Sequence, residues 1–114
     1  MNDPTANLIS ELRRGTLVLS VLSQLKEEAY GYALKERLTE RGVEIDQGTL
    51  YPLLRRLEEQ GLLQSEWTLG GESRPRRYYQ LNPTGQTVLD TLTQEWNSLV
   101  AAMHRLLSEQ EEKS

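Results

Sequence analysis

Gly48-Thr-Leu-Tyr-Pro-Leu-Leu-Arg-Arg-Leu-Glu-Glu-Gln-Gly-Leu-Leu63 is the stretch whose reading decides the fold. Leu50, Leu53, Leu54 and Leu57 fall at i, i+3, i+4 and i+7, one apolar stripe of a 3.6-residue period, and predict an amphipathic helix. Gly48, Pro52, Arg55 and Glu59 lie opposite that stripe, with Thr49, Tyr51 and Arg56 on its flanks. Gly61 suits the residue just past the helix, because glycine takes positive φ without a Cβ penalty. Two starts fit the N-terminus: Asp46 as N-cap, or Thr49, which would put Pro52 in the first turn.

Working outward, Ala29 to Gly42 predicts a helix with Leu34 and Leu38 inward and Gly42 closing it. That helix, a short loop and the Gly48–Leu63 segment make a helix-turn-helix. Upstream, residues 7–25 predict a first helix carrying Leu8, Ile9, Leu12, Leu17, Val18, Val21, Leu22 and Leu25. Its apolar residues exceed one stripe, so burial on two sides is expected, with a bend or close packing at Gly15. Downstream, Leu63 to Thr68 and Arg77 to Leu81 alternate as two strands, with Leu69 to Arg76 as a mobile tip. A helix followed by a basic hairpin is the layout of a winged helix, so the fold class is mostly α with a small β-hairpin.

The last predicted helix opens after Asn82-Pro83, capped by Asn82 or Thr84, and runs to about Glu109. Leu89, Leu92, Trp96, Leu99, Met103 and Leu106 are spaced 3, 4, 3, 4, 3, the rhythm of a coiled-coil seam. Something must cover that stripe, and a second copy of the chain is the simplest candidate. The expected division is therefore residues 1–81 as a DNA-binding unit, whose N-terminal helix can join the interface, and residues 82–114 as a dimerisation helix with a charged tail.

Composition removes several classes of function. The 114 residues hold no cysteine and one histidine, His104, which excludes thiolate and multi-histidine metal sites and leaves no constellation for an enzyme. No apolar run approaches the roughly 18 residues of a membrane helix, and Met1-Asn-Asp-Pro-Thr lacks the pattern of a signal peptide. A cytoplasmic location and no cofactor are expected. The formal charge of −4 argues against nucleic acid, but its distribution softens the objection. Residues 1–81 carry 11 basic and 12 acidic side chains, and residues 82–114 carry 2 and 5. Steering depends on local potential rather than on the sum.

The candidate DNA-reading residues are Gln47, Thr49, Tyr51 and Arg55 on the outward face of the central helix. Gln pairs bidentately with adenine, Arg with guanine, and Thr offers a methyl to thymine. Arg56 stands between DNA and a nearby glutamate. On the hairpin, Arg74, Arg76 and Arg77 suit phosphates or the minor groove. One of Tyr78 and Tyr79 should pack on the core. Tyr30, Tyr32 and Lys35 are further candidates for phosphate contact, with packing of one tyrosine an equal alternative. Trp67 is expected in the core. The rival to DNA binding is a winged helix that docks protein, which the acidic charge favours and the hairpin arginines oppose.

Arg13-Arg-Gly-Thr-Leu-Val-Leu, Tyr30-Gly-Tyr-Ala-Leu, the Gly48–Leu62 run and Pro75-Arg-Arg-Tyr-Tyr-Gln-Leu resemble the PadR family of bacterial transcriptional regulators, in order across residues 10–98. The resemblance implies a homodimeric winged helix-turn-helix protein on a pseudo-palindromic double-stranded operator, a repressor released by a small molecule or other signal. The single C-terminal helix resembles the compact branch of that family. Trp96 and Met103 are either interface core or, as in some relatives, the walls of a site for an aromatic effector between subunits.

Overall fold

The computed structural model describes residues 3–69 and 74–113. Within them, five helices and three short strands follow one another as α1 (Thr5–Arg14), α2 (Leu17–Ser23), β1 (Ala29–Tyr30), α3 (Gly31–Glu40), α4 (Gln47–Glu59), β2 (Leu63–Thr68), β3 (Arg76–Leu81) and α5 (Pro83–Lys113). Gly70 to Ser73, the centre of the expected hairpin tip, lie outside the described residues.

The expected first helix is two helices. Gly15 and Thr16 keep right-handed backbone angles, but the Thr16 hydroxyl donates to the Arg13 carbonyl at 2.8 Å and its N–H bonds the same oxygen at 3.0 Å. A side chain that bonds the preceding turn competes with the helical ladder, and the axis breaks there. Among the described residues no atom lies within 4 Å of where a Gly15 Cβ would stand, so no packing seen within the chain requires this glycine. Nor is the segment buried on two sides throughout. α2 sinks Val21 and Leu22 into the core, whereas α1 has no buried residue and leaves Leu12 78% exposed.

α4 resolves its two possible starts. Asp46 is extended and its carboxylate accepts the Thr49 N–H at 2.7 Å, so Asp46 is the N-cap. Pro52 then sits in the helix interior, where it cannot donate to the Gly48 carbonyl one turn back. Both residues are exposed, so water can satisfy that oxygen. Leu50, Leu53, Leu54 and Leu57 are all buried. Gly61, at φ 82°, closes the helix as expected: its N–H bonds Glu58 O and the Leu62 N–H bonds Leu57 O. Gly42, at φ 91°, ends α3 in the same way.

Ala29 and Tyr30, expected as the first turn of α3, form a strand instead. They pair antiparallel with β3, whose other edge carries β2, giving the order β1-β3-β2. In that register Ala29 and Ser65 both face Tyr79, and Trp67 faces Arg77. The inward Tyr79 is the hairpin tyrosine that joins the core, a split the alternation along β3 foretold.

α5 begins on Asn82, whose Oδ1 accepts the Gly85 N–H at 2.8 Å while its Nδ2 donates to Gly61 O at 2.9 Å. One side chain thus caps α5 and ties it to the end of α4. Gly85 permits this contact, because a Cβ there would stand 2.1 Å from the Leu62 carbonyl oxygen. Leu89, expected on the intersubunit seam, is only 5% exposed and belongs to the core of the single chain. Val88 and Leu92 pack against the same core. The seam is open only beyond them, where α5 leaves the body of the protein.

Candidate nucleic-acid interface

The outward face of α4 holds Gln47, Thr49, Tyr51, Arg55 and Arg56, all exposed. Its leucines anchor the opposite side, so the sequence stripe alone fixes which residues can reach a groove. Gln47 and Thr49 stand in the first turn, where the helix dipole also favours an anion. Tyr51 is placed differently from its neighbours. A Cβ on Gly31 would come 2.0 Å from the Tyr51 Cε1 atom, so the ring lies across the backbone at the start of α3. Tyr51 is 36% exposed, with one side of its ring against that backbone.

The hairpin presents its arginines unequally. Arg74 and Arg76 are exposed. The Arg76 guanidinium sits 4.4 Å from the centroid of the Tyr30 ring, a cation–π contact. Tyr30 in turn meets Tyr78 edge-on at 5.5 Å, so both tyrosines support the base of the hairpin. Arg77 is committed elsewhere. It pairs with the Glu58 carboxylate of α4 and donates through Nε to the Ser65 hydroxyl at 3.0 Å, while that hydroxyl donates to Glu58. Arg77 thus braces the hairpin against α4.

Trp67, expected in the core, is 66% exposed. Along one face of β2, Leu63 is buried, Ser65 half-buried and Trp67 exposed, because the hairpin overhangs the helices that cover its base. Trp67, Tyr51, Arg55, Pro75, Arg76 and Arg77 are among the walls of a cleft of about 400 Å³ between α4 and the hairpin, floored by Tyr79 and the Tyr30–Gly31 turn. Among the described residues, no carboxylate lines it. Burial raises the pKa of the Tyr79 hydroxyl above its ordinary value.

Tyr32 and Lys35 do not join this cleft. Tyr32 is exposed on α3, and Glu36 raises the pKa of its hydroxyl, first through hydrogen bonding and then through its charge. Lys35 is half-buried and lines a separate hollow with Glu44 and Asp46. Two acids beside it weaken any pull on a phosphate. The contributions of Gly31, Glu58, Ser65 and Trp67 escaped sequence reading. The alternation along β2 does carry a signal for Trp67 and Ser65, since both share the face of Leu63, but it does not say where the core ends.

Among the described residues, no group of three or more His, Cys, Asp or Glu side chains is placed to hold a metal ion. No described helix is long and apolar enough to cross a membrane.

Comparison with known proteins agrees with this geometry. The Transcriptional regulator PadR-like family model matches residues 18–91. The transcriptional regulator Rv3488 of Mycobacterium tuberculosis is 38% identical over 80 residues, 69% of this chain and 74% of that protein. The crystal structure of a PadR family transcriptional regulator from Eggerthella lenta superposes with a TM-score of 0.85 at 51% identity, covering 90% of this chain and 91% of that one. A PadR-like transcription factor from Bacteroides fragilis gives 0.74 at 35% identity, covering 88% and 98%. The chain belongs to the PadR-like family of DNA-binding transcriptional regulators, a family of non-enzymes.

Proposed function

We propose that this regulator works in the cytoplasm as a homodimer on a pseudo-palindromic operator, as a repressor that a small molecule or other signal releases. The observation that carries the dimer is the outer half of α5. Trp96, Leu99, Met103 and Leu106 are 42–55% exposed on a helix extending beyond the core. Covering such side chains contributes up to about 1.5–3 kcal/mol each, and their 3, 4, 3 spacing suits a second helix of the same kind. Leu8, Ile9 and Leu12 of α1 offer a further apolar face to the same partner.

In this reading two α4 helices related by the dyad enter successive major grooves about 34 Å apart. Gln47, Thr49 and Arg55 address bases, and Arg74 and Arg76 address phosphates on each side, with Tyr30, Tyr32 and Lys35 nearer the margin. Residues 1–81, completed by the first turns of α5, form the reading unit, and the remainder of α5 joins the subunits. Release follows if an effector prefers one angle between the paired α5 helices, since only differential affinity shifts such an equilibrium. Trp96 and Met103, if part of the seam remains open in the dimer, suit an aromatic effector.

Selection of duplexes from a random pool, followed by salt titration on the winner, tests the reading. It predicts an inverted repeat whose affinity falls steeply with salt. Failure to enrich any duplex at low salt would favour a protein-docking winged helix instead.

A further inference from the structure

Trp67 is the largest exposed apolar side chain of the described hairpin, and the reading above gives it no role. Its place on β2 sets its direction. It shares a strand face with buried Leu63 and with Ser65, whose hydroxyl bonds Glu58 of α4, so it stands on the side of the hairpin that faces the recognition helix. On one side it is supported. The Arg77 guanidinium lies 5.8 Å from the Trp67 ring and 5.3 Å from the Tyr79 ring, held there by Glu58 and Ser65. Elsewhere the ring opens on the cleft shared with Tyr51, Arg55 and Arg76.

We propose that Trp67 is a DNA-contacting residue of this regulator, packing its indole face on a deoxyribose and donating its Nε1–H to the adjoining phosphate. The inference rests on the DNA-binding reading and adds to it a residue whose type and strand position suggested only core. Three features favour a nucleic-acid strand as the occupant. Every charged side chain among the described residues lining the cleft is an arginine, which complements a phosphodiester chain. Tyr51 and Arg55 of α4 line the cleft, so it adjoins the outward face of that helix, on the path a backbone leaving the major groove would take. Tryptophan offers an apolar face and one donor, the two requirements of a sugar followed by a phosphate. Because the indole is uncharged, its contribution to affinity is independent of counterion release.

The test uses the full chain and the selected duplex carrying a fluorophore, with anisotropy as the readout. Trp67→Ala should bind at least about ten-fold more weakly than wild type with an unchanged salt slope. Trp67→Phe, which keeps a ring and loses the donor, should fall between them. At such an exposed position both variants should melt like wild type, which separates contact from folding. In wild-type protein labelled with 5-fluorotryptophan, the fluorine signal of Trp67, assigned by its loss in Trp67→Phe, should move on adding duplex. Trp67→Ala binding within two-fold of wild type would overturn the proposal, as would a Trp67 signal unmoved at saturation. Wild-type protein that bound no duplex would remove the DNA reading itself, a result distinct from tight binding by Trp67→Ala.

Discussion

Helix α4 carries most of its instructions within its own segment, whereas the hairpin beside it depends on partners far along the chain. Asp46 caps α4, Gly61 closes it and four leucines seat it. In the hairpin, adjacent arginines meet different fates. Arg76 rests on Tyr30, and Arg77 reaches Glu58, nineteen residues earlier, through a pair with side chains 33% and 25% exposed. A local element can be read by period and punctuation. A hairpin that overhangs its core takes its meaning from what it leans on.

The contrast can be broken in graded ways. Leu54→Ala should be most damaging, because a 1% exposed leucine leaves a cavity, and about 2–5 kcal/mol of unfolding free energy should be lost in urea titration. Arg77→Ala should cost about 1–2 kcal/mol, since it strands a partly buried carboxylate as well as removing a pair. Asp46→Ala removes the cap and should cost about 1 kcal/mol, measured in the same way. Arg76→Ala should leave stability within about 0.5 kcal/mol of wild type but reduce the salt slope of duplex binding by about 1. If Arg76→Ala and Arg77→Ala proved indistinguishable in both measurements, the division of labour between them would be wrong.

Much of the fold was legible because its signals are periodic or steric. The leucines of α4, the glycines after α3 and α4, the bounds of β2 and the asparagine before α5 all follow from local rules, and each stands where those rules put it. Two of the errors share one cause. Apolar periodicity marks a face that needs covering, but it does not say whether the same chain covers it. Leu89 and Trp96 share one seam in sequence, yet the single chain buries the first and exposes the second. Leu12 and Leu22 likewise stood in one predicted helix, and only α2 reaches the core. Trp67 was misplaced because residue type favours burial, while the overhang of the hairpin is a property of the tertiary fold. Gly31 and Gly85 showed no local reason to be glycine; their reasons are the Tyr51 ring and the Leu62 carbonyl.

The central claim is that two copies of this chain, joined along the outer half of α5, read one operator. Its most direct test is the stoichiometry of the complex with the selected duplex by analytical ultracentrifugation, in wild type and in Leu99→Glu. The account predicts two chains per duplex for wild type. It predicts a monomer with weakened, half-site binding for the variant, whose exposed position should spare the protomer fold. One chain per duplex in wild type, or an intact dimer in Leu99→Glu, would contradict it.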